Sequence, residues 1–460
     1  MRGTHGWEQV STERKRAIID SIVNGTATSG PVHAELDLTD RCNVDCYFCN
    51  QMDVRSKQQV PISHAIRIID ELAAGGLRSV RLSGGGDPLF HREILEILDH
   101  LQHRNIIIDN LTTNGVALNL DVAERLVRGH AREVIFSLNA VDAPDYARMM
   151  QVKPTLFEKI LANIRTLVAT RGDSIYPSIV TQFLLDKENV TRISDMYDLG
   201  RSLGADRVAI STVLEIPNDR IDHSILLSPE DAEIARSYIR DILERDRDTG
   251  LLQLGFPIHQ WNAMLAEVRA EINAPEKNQF GTAASFKEEN GHCFFGWYTA
   301  TVRGTGDMYP CCLLMNPTYK PLGNALEGSM QQQWNGPGFT RLREEQRDVL
   351  LTKGEMIHRP SRFTTLAPQC ITPGACWLKN MYFRADEDFY RQLGEALDIA
   401  RKREVRVVGT GAQMSRALEV MAFRRENILL WYDKWRDRTR PLRHYLSDRF
   451  HLGFLRRKSA

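Results

Sequence analysis

A chain of 460 residues is long enough for two or three domains around a sizeable core. Its 59 basic and 59 acidic residues cancel, so no overall field draws it toward nucleic acid or an anionic surface. The polar start Met1 to Val10, the lack of any apolar run near the ~20 residues of a membrane span, and eight sparse cysteines predict a cytoplasmic protein with no nucleic-acid or membrane partner and no disulfide scaffold.

Residues 11–24 carry an amphipathic helical pattern, with Ser11 or Thr12 as N-cap and Gly25 past the end. This 1–30 segment is expected to cover the entrance of a barrel. The alternation Val32, Ala34, Leu36, Leu38 reads as a strand, and Cys42, Cys46 and Cys49 follow it in a loop at spacing C-x3-C-x2-C. Thiolates this close can turn on one centre: zinc, an iron–sulfur cluster or a redox dithiol. A structural zinc site needs a fourth donor, and neither His33 nor His64 stands at a finger spacing. A 4Fe-4S cluster held by three thiolates keeps one iron open, whereas a Cys46/Cys49 dithiol leaves Cys42 without a role. Spacing alone leaves the three readings standing.

The strand Leu77 to Leu82 runs into Ser83-Gly84-Gly85-Gly86-Asp87-Pro88, where glycines admit close backbone approach and an acid can accept from an ammonium group. C-x3-C-x-aromatic-C followed by strand, Gly-Gly, acid and Pro resembles the radical S-adenosylmethionine (SAM) enzymes. The resemblance implies that Cys42, Cys46 and Cys49 ligate a 4Fe-4S cluster whose open iron is chelated by SAM. It implies that Phe48 packs near the adenine and that Gly85, Gly86 and Asp87 stand for the family's Gly-Gly-Glu, Asp being a methylene shorter toward the SAM ammonium. An electron donor such as flavodoxin or ferredoxin is implied as a partner.

Strand and helix then alternate: helix 62–74, strand 77–82, helix 91–102, strand 105–110, helix 121–128, strand 133–138, helix 156–170, strand 176–184, helix 190–203, strand 206–211. Six strands, each followed by a helix, predict an α/β fold, a partial (β/α)6 TIM-like barrel over 31–245 with ligands at the carboxyl ends of its strands. Those ends carry Asn114 after the third strand and Ser137 and Asn139 after the fourth, residues that turn chemistry alone would explain. Under the resemblance, Ser137 and Asn139 reach the SAM ribose and Asn114 lines the same cavity, with Gln182 and Ser211 weaker candidates. A helix over 229–245 should cap the barrel, and 246–290 reads as a connecting segment.

Residues 291–385 change character. Trp297 to Val302, a turn at 304–307 and the return through Met308 to Cys311 predict a hairpin, and Cys293, Cys311, Cys370 and Cys376 can close a tetrathiolate site, zinc ribbon or cluster. Cys293-x12-Gly306-x4-Cys311, then Leu322-Gly323-Asn324 and Trp334, resembles the SPASM/twitch extension, here in the shorter twitch form. That implies one auxiliary 4Fe-4S cluster on those four cysteines, with Cys312 a substitute for Cys311 or a bystander. In 386–460 a helix at 392–403, a strand Val405 to Val408, Gly409 and Gly411, and Asp433 mimic half a dinucleotide fold, but Met414 replaces the third glycine. Docking against the barrel is the simpler reading, and the basic tail reads as a solvated face.

The expectation is an enzyme, a radical SAM oxidoreductase or lyase. Peptide modifiers of this family often carry a peptide-grasping domain ahead of the barrel, and only about 30 residues precede the first strand. The favoured substrate is therefore a small polar molecule, a sugar, aminocyclitol or aminoglycoside-like polyol of antibiotic or sugar biosynthesis, dehydrogenated or dehydrated in a pocket lined by Asp53, Arg55, Arg81 and Tyr146. A peptide maturase, a non-catalytic zinc or iron–sulfur scaffold, and a nucleotide-binding oxidoreductase centred on Gly409 and Gly411 are the alternatives.

Overall fold

A computed structural model describes residues 7–49, 51, 55–213, 225–246, 249–254, 268, 293–315, 319–351 and 386–408. Six strands alternate with helices as the period-two and period-3.6 patterns require: β1 (His33–Asp37), β2 (Ser79–Leu82), β3 (Ile107–Thr113), β4 (Glu133–Ser137), β5 (Ser178–Leu185) and β6 (Arg207–Thr212). The helices are α1 (Thr12–Asn24), α2 (Ile62–Ala74), α3 (Ile94–His103), α4 (Leu120–Arg128), α5 (Ala143–Met150), α6 (Leu156–Arg171), α7 (Ile193–Ser202) and α8 (Pro229–Arg245). Then come β7 (Leu252–Leu254), β8 (Thr299–Arg303), β9 (Asp307–Tyr309), β10 (Gly323–Asn324), α9 (Met330–Trp334), α10 (Pro337–Leu351) and α11 (Glu387–Val408). Starts are set by side chains: Asn119 accepts from Val122 N, Asp142 from Asp145 N, and Ser228 with Asp231 forms a reciprocal box ahead of α8.

All ten strands share one sheet, ordered β10-β9-β8-β1-β2-β3-β4-β5-β6-β7. From β8 to β7 every neighbouring pair is parallel, and β8-β9 and β9-β10 are antiparallel. The sheet is an open, TIM-like partial barrel with helices outside. On β1, Ala34 and Leu36 join the apolar core, while His33, Glu35 and Asp37 face the lumen. A polar row crosses the lumen: Asn110 donates to Glu133 (2.8 Å), Glu133 pairs with Arg207, and Arg207 donates to Gln253 (3.1 Å).

Four features differ from the sequence reading. Helix α1 lies away from the barrel mouth: Arg14 donates to the carbonyls of Gly30 (3.1 Å), Gly75 and Gly76, at the amino ends of β1 and β2. The indoles of Trp297 and Trp334 fix the chain beyond it, donating to Thr26 O (2.6 Å) and Ser29 O (2.9 Å). The connecting segment supplies a seventh parallel strand, β7, beside β6. The predicted hairpin exists, but β8 pairs with β1 along five residues and so extends the barrel sheet itself. Val405 to Val408 end helix α11 and form no strand, because backbone hydrogen bonding continued from the preceding turns outweighs the strand preference of valine. The expected nucleotide-binding glycines Gly409 and Gly411, and the tail after them, lie outside the described residues.

Candidate active site

The cysteine loop leaves β1 and crosses the carboxyl ends of its neighbours. Cys42 and Cys49 are half-buried and Cys46 is buried. Backbone ties hold the loop on two sides: Gly86 N donates to Thr39 O (3.0 Å) and Asp87 N to Arg41 O (2.9 Å), while Asp45 N donates to Met150 O (3.0 Å). Glycine is required under it, since a Cβ on Gly86 would lie 2.1 Å from Arg41 O and one on Gly85 2.3 Å from Asp40 Oδ1. The two glycines thus seat the loop, a role the sequence reading did not give them.

The thiols have specific neighbours. Arg55 Nη2 lies 3.0 Å from Cys49 Sγ, and its Nε donates to Gly85 O (3.2 Å), so this residue braces the loop. Asn114 Nδ2 is 3.6 Å from Cys42 Sγ and donates to Asn43 Oδ1 (2.7 Å), which also makes it a brace. Cys46 Sγ is 3.6 Å from Met150 Sδ. Burial, with Asp87 next in importance, pushes the Cys42 thiol up to about 11. Burial and then the neighbouring Cys49 and Cys42 raise that of Cys46 still further. Two buried thiols that resist ionising, beside a third, suit an iron–sulfur centre, which would hold all three as thiolates. Among the described residues no group of three or more His, Cys, Asp or Glu converges as ligands of a single ion do.

Asp87 is 3 % exposed and already engaged: Oδ1 accepts from Leu89 N (2.9 Å), and Oδ2 from Asn114 N (2.7 Å) and Thr113 Oγ1 (2.9 Å). It caps the turn after Gly86 and welds it to the end of β3. Ser137 ends β4, opposite Gln182 of β5. Asn139 has a left-handed φ of 60° and is buried, with Oδ1 lacking a partner among the described residues. Phe48 is half-buried, its ring edge-on to Tyr47 at 5.3 Å. Tyr146, expected in a substrate pocket, is wholly buried beside Cys46, Asp87 and Cys42, its hydroxyl unpartnered among the described residues. Arg81 is paired with Glu35 (3.5 Å), and Asp53 is outside the described residues.

One hub escaped the sequence reading. Asp186, after β5, is fully buried and accepts from Tyr47 Oη, Arg148 Nη1 (2.7 Å), Glu188 N and Asn189 N (both 2.9 Å). It ties the cysteine loop to α5 and β5 across 139 residues, and no local pattern announces such a contact.

In the second cysteine region Cys293 and Cys311 are both buried, and Gln346 of α10 lies with Nε2 3.3 Å from Cys293 Sγ. Arg343, one turn earlier, is buried against Trp334 (4.5 Å) and donates to Gly296 O (2.7 Å). The thiol of Cys312 instead meets Glu35 in the lumen, and burial, then Glu35, holds it well above the usual thiol range. Cys370 and Cys376 lie outside the described residues.

Residues 36–200 match the model of the radical SAM superfamily, and residues 293–353 that of an iron-sulfur cluster-binding domain, SPASM. The chain carries a radical SAM domain followed by a SPASM domain. The first implies a 4Fe-4S cluster and SAM as cofactors, and the second auxiliary iron–sulfur clusters. Among curated proteins, the chain is 28 % identical over 188 residues to a PqqA peptide cyclase of Gluconobacter oxydans, covering 40 % of this chain and 50 % of that one. It is 24 % identical over 172 residues to a probable GTP 3′,8-cyclase of Methanocaldococcus jannaschii, covering 37 % and 55 %. The chain spans about half the length of the curated relatives it matches. Among solved structures, Streptococcus suis SuiB bound to its precursor peptide SuiA shares the fold with a TM-score of 0.54 at 18 % identity, covering 72 % of this chain and 71 % of that one. No helix among the described residues is long and apolar enough to cross a membrane.

Proposed function

We propose that this chain is a peptide-modifying radical SAM enzyme, in which the reacting residue of a peptide lies over the polar lumen at the carboxyl ends of the strands. The observation that carries the reading is the likeness to PqqA peptide cyclases across the barrel, and the fold shared with SuiB supports it. This departs from the sugar-like substrate expected from the sequence. Likeness to probable GTP 3′,8-cyclases favours the second reading, a small polar substrate.

In this proposal Cys42, Cys46 and Cys49 hold the first cluster, and Cys293, Cys311, Cys370 and Cys376 an auxiliary one. When bound, the reduced first cluster and SAM supply a 5′-deoxyadenosyl radical able to abstract hydrogen from an unactivated carbon. The protein's own part is placement. Arg55, Asn114 and the Asp186–Tyr47–Arg148 hub fix the loop. Asn139, whose buried Oδ1 has no partner among the described residues, and Ser137 offer polar contacts to the ribose, and Phe48 offers a ring to the adenine. Burial of the loop keeps water from the reacting carbon.

Anaerobic reconstitution followed by iron and sulfide counting, then incubation with SAM and deuterated peptides or deuterated aminoglycosides, tests it. Deuterium passing from a peptide into 5′-deoxyadenosine is the expected result. Transfer from the polyols alone would replace it with the second reading, and tightly held zinc without SAM cleavage would refute both.

A further inference from the structure

The mouth of the lumen gathers three carboxylates and two guanidinium groups from β1, β2, β8 and the turn after β1. Register sets the arrangement: Glu35 lies opposite Arg81, and Asp37 opposite Arg303. Both arginines have carboxylate partners other than Asp37, for Arg81 Nη1 is 3.5 Å from Glu35 Oε1 and Arg303 Nη2 is 3.1 Å from Asp40 Oδ1. Asp37 is the carboxyl of the group with no direct ion pair among the described residues. It is 1 % exposed, Ser83 Oγ touches its Oδ1 at a long 3.4 Å, and its Oδ2 has no hydrogen-bond partner among the described residues.

The position is built and not accidental. Gly84, at φ 132°, brings the β2 loop so close that a Cβ there would lie 2.0 Å from Asp37 Cγ. The side chain shares the lumen-facing parity of His33 and Glu35, and the Cys312 thiol stands near it on the second cysteine region. Burying a carboxyl oxygen that no donor reaches is costly even with the Arg81 and Arg303 guanidinium groups nearby. A group of this kind is explained when a ligand supplies the missing donor.

We propose that Asp37 anchors a cationic nitrogen of the substrate, a primary alkylammonium such as a lysine side chain. The proposal rests on the peptide reading for the nature of that substrate and adds its charge. The ammonium takes the place of the absent donor at Oδ2, beside the flanking pairs Glu35–Arg81 and Asp40–Arg303.

The test uses the reconstituted full chain with SAM and two probes, Nα-acetyl-lysine methylamide and the same molecule acetylated at Nε, titrated by saturation-transfer NMR. The expected result is at least tenfold weaker binding of the acetylated probe, and loss of that preference in Asp37→Asn. Equal affinity for the two probes, binding of neither, or a variant that keeps the preference overturns the proposal. Should Asp37→Asn fail to fold, the two probes on the wild-type chain still decide. Failure of the peptide reading is seen elsewhere, in deuterium transfer from polyols alone, and leaves the charge preference to be read independently.

Discussion

The loop of Cys42, Cys46 and Cys49 is braced from around the barrel: Arg55 on one thiol, Asn114 on another, Tyr47 anchored to Asp186, and glycine backbone beneath. At the corner holding Cys293 and Cys311, α10 contributes Gln346 and Arg343, and the cysteines expected to complete it come from far along the chain. The first site is pre-shaped by short-range spacing and secured by distant contacts. The second is assembled by the fold, so its ligands have to be found one at a time.

The strongest challenge to that contrast is Cys46→Ala. It is expected to remove the barrel iron, about half of the roughly eight atoms that two cubane clusters hold, and to lower SAM cleavage on the order of a hundredfold or more. Iron counting and 5′-deoxyadenosine release check it. In the second region, Cys311→Ala is expected to lose the auxiliary iron and Cys312→Ala to keep it, because the Cys312 thiol is turned to Glu35. The same iron count decides. Gly86→Ala, whose Cβ would meet Arg41 O at 2.1 Å, should destabilise by about 3 kcal/mol in urea unfolding. Gly172→Ala, with nothing within 4 Å and φ 55°, should cost only about 1 kcal/mol for its backbone. Asp186→Asn weakens the buried acceptor shared by Tyr47 and Arg148, the latter keeping Asp145, and should cost about 2 kcal/mol in the same assay.

The smallest effect is one of pH. Burial, and next the charge of Glu35, raise the Asp37 carboxyl well above its ordinary range. The folded chain therefore binds this proton more tightly than the unfolded one, and stability falls as pH rises above the usual carboxyl value of about 3.9. Asp37→Asn should melt above the wild type at pH 7.5, with the gap closing toward pH 5, as differential scanning fluorimetry would read.

The barrel was legible because short apolar strands alternate with amphipathic helices, so most of 62–212 reads by period. The cysteine and glycine motifs were legible because their chemistry needs neighbours in sequence. Helix α5 was missed: eight residues with Pro144 and Asp145 in the first turn carry too little apolar repeat to announce themselves. An amphipathic stripe foretold that α1 packs against something, but not at which end of the barrel. The contact of Arg55 with Cys49 was not foreseen, and Asp186 was not named at all, since a hydrogen bond that closes over 139 residues leaves no local trace.

The five-residue ladder between β8 and β1 has a mechanical consequence. A hinge between the two cysteine-bearing regions would have to tear the backbone hydrogen bonds of this ladder, so β1 and β8 move as one stiff plate, far from the margin where β7 is the last strand among the described residues.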